Sequence, residues 1–94
     1  MINKVKFANE AATEFRKSLR WYKSNSPGLG EKFAAEIDST IERIKLNPDF
    51  YPIIVEGIRK IQTNRFPFSI FYKIENDTLL ILRVFHNRRK PIEW

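Results

Sequence analysis

The chain has 94 residues, with 17 Lys/Arg against 11 Asp/Glu for a formal net charge of +6, a hydrophobic content of 43% and no cysteine. That leaves room for one domain, 1–94, excludes disorder on apolar content, and excludes disulfides, thiolate metal sites and a thiol nucleophile. Residues 1–56 carry nine Lys/Arg against eight Asp/Glu and residues 57–94 carry eight against three, so the second part points to an acidic partner, either nucleic acid or an acidic protein segment, with solubility alone as the plain alternative.

The opening MINKVKF alternates charged and apolar residues and has no long apolar core, so it does not read as a signal peptide. No apolar run approaches the ~20 residues that a bilayer requires. With no cysteine, the chain fits a cytoplasmic location.

Met1 to Phe7 reads as a short strand, with Ile2, Val5 and Phe7 as its apolar residues. Asn9 then offers a helix N-cap, with Glu10 in the first turn. Over residues 10–24, Ala12, Phe15, Leu19 and Tyr22 recur at helical spacing and predict one amphipathic stripe, with Trp21 beside it. NSPGLG at 25–30 breaks that helix, and Ser26-Pro27 reads as the N-cap and first position of a second one. Phe33, Ile37, Ile41 and Ile44 form its stripe, and Asn47-Pro48 ends it near Leu46. So short a break implies an antiparallel helical hairpin.

PDFYPIIVEG, residues 48–57, reads as an irregular connection that packs down. Strands follow at 58–63 and 66–74. Phe68, Ile70, Tyr72 and Ile74 lie on one face of the latter, with Ser69, Phe71 and Lys73 on the other. Glu75-Asn76-Asp77 is a polar turn into a last strand, 78–86. Its LLILRVF run lacks clean alternation and reads as central and covered on both faces. The expected fold is α+β, β-α-α-β-β-β, a helical hairpin packed on a small, largely antiparallel sheet.

His86 stands where that last strand ends. It has no HxH, HExxH or carboxylate cluster around it, so neither a metal site nor a metal cofactor is expected. An imidazole titrates near neutrality and suits a general acid or base, or a structural hydrogen bond. Arg83 is a charge inside an apolar strand, costly unless it reaches an edge, a carboxylate (Glu56, Glu75 or Asp77) or a ligand phosphate. If Arg59 and Arg83 share a face, they form a forked anion site. Lys60, Arg65, Arg88, Arg89 and Lys90 complete the basic set. RFPFSIFY departs from the RNA-recognition pattern at Phe66 and Pro67, so Phe66, Phe68, Phe71 and Tyr72 read as core. No phosphate-loop, dinucleotide or nucleophile-elbow motif occurs, and no cofactor is expected.

GIRKI (57–61), FPFSIFYKIENDTLLILRVFH (66–86) and HNRRKPIEW (86–94) together resemble the RelE/ParE superfamily. Its members are the toxins of bacterial type II toxin–antitoxin, or plasmid stabilisation, systems. The resemblance spans residues 2–94 and implies growth inhibition and a cognate acidic antitoxin. RelE-like members cleave mRNA on the ribosome; ParE-like members poison DNA gyrase. Position by position, the resemblance makes Arg59, Arg83 and His86 the catalytic set of an RNase. It makes Arg59, Arg65, Arg83, His86, Arg88, Arg89, Lys90 and Trp94 a surface for target or antitoxin. Asn87, Arg88 and Arg89 stand where the RNase branch has a tyrosine, which places the chain nearer the ParE-like branch. A ribosome-dependent endonuclease is the alternative, and a non-toxic binding module the second.

Overall fold

The stripe of the second helix does what its spacing predicts, and that of the first does so except at its head, where Ala11 and not Ala12 is buried. In a computed structural model covering residues 1–94, α1 (Asn9–Asn25) and α2 (Leu29–Leu46) lie against one side of a five-stranded sheet. Phe33, Ile37, Ile41 and Ile44 of α2 are buried, as are Ala11 and Tyr22 of α1, with Phe15 and Leu19 packed beside them. The strands are β1 (Lys4–Phe7), β2 (Ile53–Val55), β3 (Ile58–Gln62), β4 (Phe68–Glu75) and β5 (Thr78–His86), in the order β1-β5-β4-β3-β2. Only the β1–β5 pair is parallel. No helix is long and apolar enough to cross a membrane.

Local starts and stops differ from the sequence reading. Asn9 is already helical, and the N-cap is Ala8, whose side chain caps nothing. The sheet sets this start: the Ala8 N–H donates to the Ile81 carbonyl (2.8 Å) and holds Ala8 extended. Ser26 closes α1 rather than opening α2, and the N-cap of α2 is Gly28 at φ 80°, a left-handed position that suits glycine. Gly30 lies where the hairpin is tightest; a Cβ there would stand 2.3 Å from the Lys23 Cγ. The connection after α2 contains a strand that the sequence reading omits. β2 is three residues long, flanks a turn through Gly57 (φ 74°) and pairs only with β3, too short for its alternation to show.

β5 holds the main departure. It lies between β1 and β4 over Thr78–Ile81 and becomes an edge beyond, and α1 and α2 cover only one of its faces. Its irregular pattern comes instead from a β-bulge. Tyr72 faces Ile81 while Phe71 faces Arg83, which leaves Leu82 as an extra residue on β5. Leu79 and Ile81 point to the helices before the bulge, and Val84 after it. Strict alternation would have put Arg83 and Phe85 in the core. The inserted residue sends both to the open face and turns His86 to the helix side, against Phe68 (ring centroids 5.0 Å).

Candidate functional site

The predicted site residues divide into separate neighbourhoods. Arg59 lies on the helix side of β3, paired with Tyr72. Its guanidinium donates to the carbonyls of Asp49 (3.0 Å) and Tyr51 (2.6 Å) and stands 3.8 Å from the Asp49 carboxylate. The Tyr72 hydroxyl donates to the Pro48 carbonyl (2.9 Å), and burial pushes its pKa up to about 12 despite the opposing Arg59 charge. Arg59 and Tyr72 together fasten the 48–52 connection.

Arg83 is on the opposite face, beside Phe71 and Phe85, and it has a carboxylate partner as a strand charge requires. That partner is none of the three expected acids. Glu14 of α1 takes Arg83 Nε on both its oxygens at 3.0 Å, and also takes Arg83 Nη2. The same carboxylate accepts the Val84 N–H at 3.0 Å. β1 ends before this point, so Glu14 satisfies a backbone donor on an edge that no strand covers. The hydrogen bond to Glu14 raises the Arg83 pKa further, and Glu10 adds a weaker contact at 3.7 Å. Arg59 and Arg83 therefore do not form the forked anion site, because they lie on opposite faces and each is engaged. Arg59 and His86 are separated by four residues along the sheet and two strand spacings, roughly 16 Å between Cα positions.

The structure does bring His86, Arg88 and Arg89 together, with partners from α1. Pro67 and Ser69 fix the chain where it leaves β5: the Asn87 N–H donates to the Pro67 carbonyl (2.8 Å), and the Ser69 hydroxyl donates to Asn87 Oδ1 (2.6 Å). A tight turn follows, in which the Arg89 N–H donates to the His86 carbonyl and the Arg88 N–H to His86 Nδ1, both at 3.1 Å. An Nδ1 that accepts a backbone N–H carries no proton, so the neutral ring is protonated at Nε2. Burial lowers the His86 pKa, and the charges of Arg88 and Arg89 lower it further. His86 is thus a neutral hydrogen-bond donor at pH 7.

Facing this turn, α1 contributes Lys17, Ser18, Trp21 and Tyr22. With Phe68, His86, Arg88 and Arg89 they line a cleft of about 430 Å³ that contains no acidic residue. None of its three cations forms an ion pair. Sequence reasoning omits Lys17 and Ser18, and treats Trp21 only as a flank of the stripe. The one signal for Trp21 was its position off the helix's apolar face; the indole is 58% exposed.

The remaining candidates lie elsewhere. Arg65 sits in the 63–67 turn and lines a separate depression with Leu29, Lys32, Glu36 and Phe66. Trp94 packs on Phe71 (5.2 Å) on the open face, near Lys60, Phe85 and Ile92. Lys90 is exposed beyond the turn. Phe68, Phe71 and Tyr72 are buried, as their reading as core requires. No group of His, Asp and Glu is arranged to hold a metal ion.

A family model described as the ParE toxin of the type II toxin–antitoxin system parDE matches residues 5–91. No curated protein matches the sequence significantly. Among solved structures, the chain is similar to a chromosomal ParDE toxin–antitoxin system from P. aeruginosa, with TM-score 0.65 and 21% identity over 90% of this chain and 96% of that one. It is also similar to the YoeB dimer from Staphylococcus aureus, with TM-score 0.62 and 13% identity over 90% and 97% of the two chains. Those likenesses show the shared fold; the match over residues 5–91 shows that this chain belongs to the ParE toxin family of type II toxin–antitoxin systems.

Proposed function

We propose that this toxin arrests growth by acting on DNA gyrase in the cytoplasm rather than by cutting mRNA, and that an acidic antitoxin segment neutralises it. The observation that carries this reading is the dispersal of the three residues an RNase would need. Arg59 is held by two carbonyls, Arg83 by Glu14, and the His86 Nδ1 lone pair by a backbone N–H. General acid–base cleavage requires an imidazole free to take and give a proton beside a cation-lined phosphate. Here the ring has its acceptor nitrogen occupied, and its protonated form is disfavoured by burial and then by the charges of Arg88 and Arg89. What remains is a surface formed by the neutral His86 and the cations Arg88, Arg89 and Lys90, suited to binding. The basic excess of residues 57–94 supports an acidic partner.

Purified gyrase supplies the test. Excess toxin is expected to block supercoiling of relaxed plasmid, and addition of an acidic cognate antitoxin to restore it. Unaltered supercoiling at excess toxin refutes the reading. Discrete new mRNA 5′ ends within translated regions, minutes after induction, would assign the chain to the endonuclease class instead.

A further inference from the structure

We infer that the cleft between α1 and the His86–Arg89 turn is a binding site for single-stranded nucleic acid, with a base against Trp21 and phosphates on Lys17, Arg88 and Arg89. The inference does not depend on which enzyme the toxin inhibits, because it concerns what the isolated toxin binds.

Three observations point to this class of ligand. First, the cleft's charge is entirely positive and uncompensated. Lys17, Arg88 and Arg89 line it, none has a carboxylate within ion-pair distance, and no acid faces it. Arg83 and Arg59, by contrast, are satisfied inside the protein, so the fold distinguishes structural cations from available ones. Second, the wall is aromatic where it meets solvent. Trp21 stays 58% exposed although its edge-to-face neighbour Tyr22 is buried, at a centroid distance of 5.1 Å. An exposed indole beside uncompensated cations is the pairing that holds unstacked bases without sequence preference. Third, the neutral His86 presents an Nε2–H that base carbonyls and phosphate oxygens both accept, and its Nδ1 is fixed by the Arg88 N–H. A cleft of about 430 Å³ is of the size that takes a small ligand such as one nucleotide. An acidic peptide would use the cations and leave the indole without a partner, so nucleic acid is the occupant that accounts for both.

The test uses the full chain and fluorescein-labelled (dT)10, followed by anisotropy at several salt concentrations. Lys17→Gln and Arg88→Gln are each expected to weaken binding severalfold and to reduce the salt slope by about 0.7, the single-strand value for one phosphate contact. Trp21→Leu is expected to weaken it at least tenfold while leaving that slope in place. Lys4→Gln, at the opposite end of β5, is expected to change neither. In a Trp94→Phe background, where Trp21 is the sole indole, (dT)10 is expected to quench the fluorescence. Equal or tighter binding of (rU)10 also supports the site and names RNA as its strand. The inference is overturned if (dT)10 and (rU)10 both fail to bind or quench. Indifference of binding to Lys17→Gln, Arg88→Gln and Trp21→Leu overturns it too. If a polyglutamate peptide binds the cleft as tightly as (dT)10, the site belongs to an acidic protein segment.

Discussion

Removing the Glu14 carboxylate tests whether the contact between α1 and β5 depends on one ion pair. Glu14→Ala takes from Arg83 three hydrogen bonds and from Val84 the acceptor of its N–H. Breaking a fully buried pair costs about 3–5 kcal/mol, because the remaining charge is stranded. The Arg83 side chain is 20% exposed, Glu14 is 12% exposed, and Glu10 remains 3.7 Å away. We therefore discount the cost to about 2 kcal/mol. A domain of this length has roughly 5–14 kcal/mol of stability in total, so the loss is a large share of it. Urea denaturation reads it as a drop in midpoint at unchanged slope. Glu14→Gln keeps an oxygen for Val84 and is expected to lose only about 1 kcal/mol. In a double-mutant cycle with Arg83→Met, the coupling is expected to be about 1–2 kcal/mol and to persist in 0.5 M salt. A coupling below about 0.3 kcal/mol, or one that salt abolishes, would refute the reasoning by showing that the pair behaves as a solvent-screened surface contact.

Because the folded state lowers the His86 pKa, stability is expected to be full above the unfolded value near 6.5 and to fall as pH drops from there through the folded value. Thermal melts between pH 8 and pH 5 check this, and His86→Gln should flatten the fall in that window; an unchanged fall would acquit His86. Tyr72→Phe gives up the hydrogen bond to Pro48 and is expected to cost about 1 kcal/mol. It should also remove a phenolate absorbance step that wild-type protein shows only near pH 12, and retention of that step would refute the assignment. Gly30→Ala places a Cβ against Lys23 at 2.3 Å and should open the helical hairpin. A melting temperature at or above wild type would show that the hairpin yields without cost.

What was legible in the sequence was whatever repeats locally. Phe33, Ile37, Ile41 and Ile44 announce one face of α2, and Phe68, Ile70, Tyr72 and Ile74 one face of β4, because helix and strand periods act over neighbouring residues. The bulge at Leu82 breaks that rule. A single inserted residue inverts every later side chain, and LLILRVF then looks like a strand buried on both faces. The start of α1 was also hidden, since a backbone bond from Ala8 to β5 sets it, not a capping side chain. Arg83 reads as a charge that needs a partner, but the carboxylate that serves it is 69 residues away in sequence. Lys17 carried no signal, because a cation lining a cleft and one that merely hydrates a helix read alike.

The parallel pairing of Lys4–Phe7 with Thr78–Ile81 has a consequence for the order in which the protein comes into being. β5 is synthesised after β1, α1 and β4, yet all three dock on it. At about 5–20 residues per second, seconds pass after α1 is made before the β5 strand that it packs against is available. Loop closure across most of the chain must then precede the reward of pairing, which slows folding relative to a helical bundle of equal size. The His86 turn and its cleft with α1 form only once β5 has docked. A truncation before Thr78 should therefore yield no folded domain, because β1, β4 and α1 would all lose the strand on which they dock.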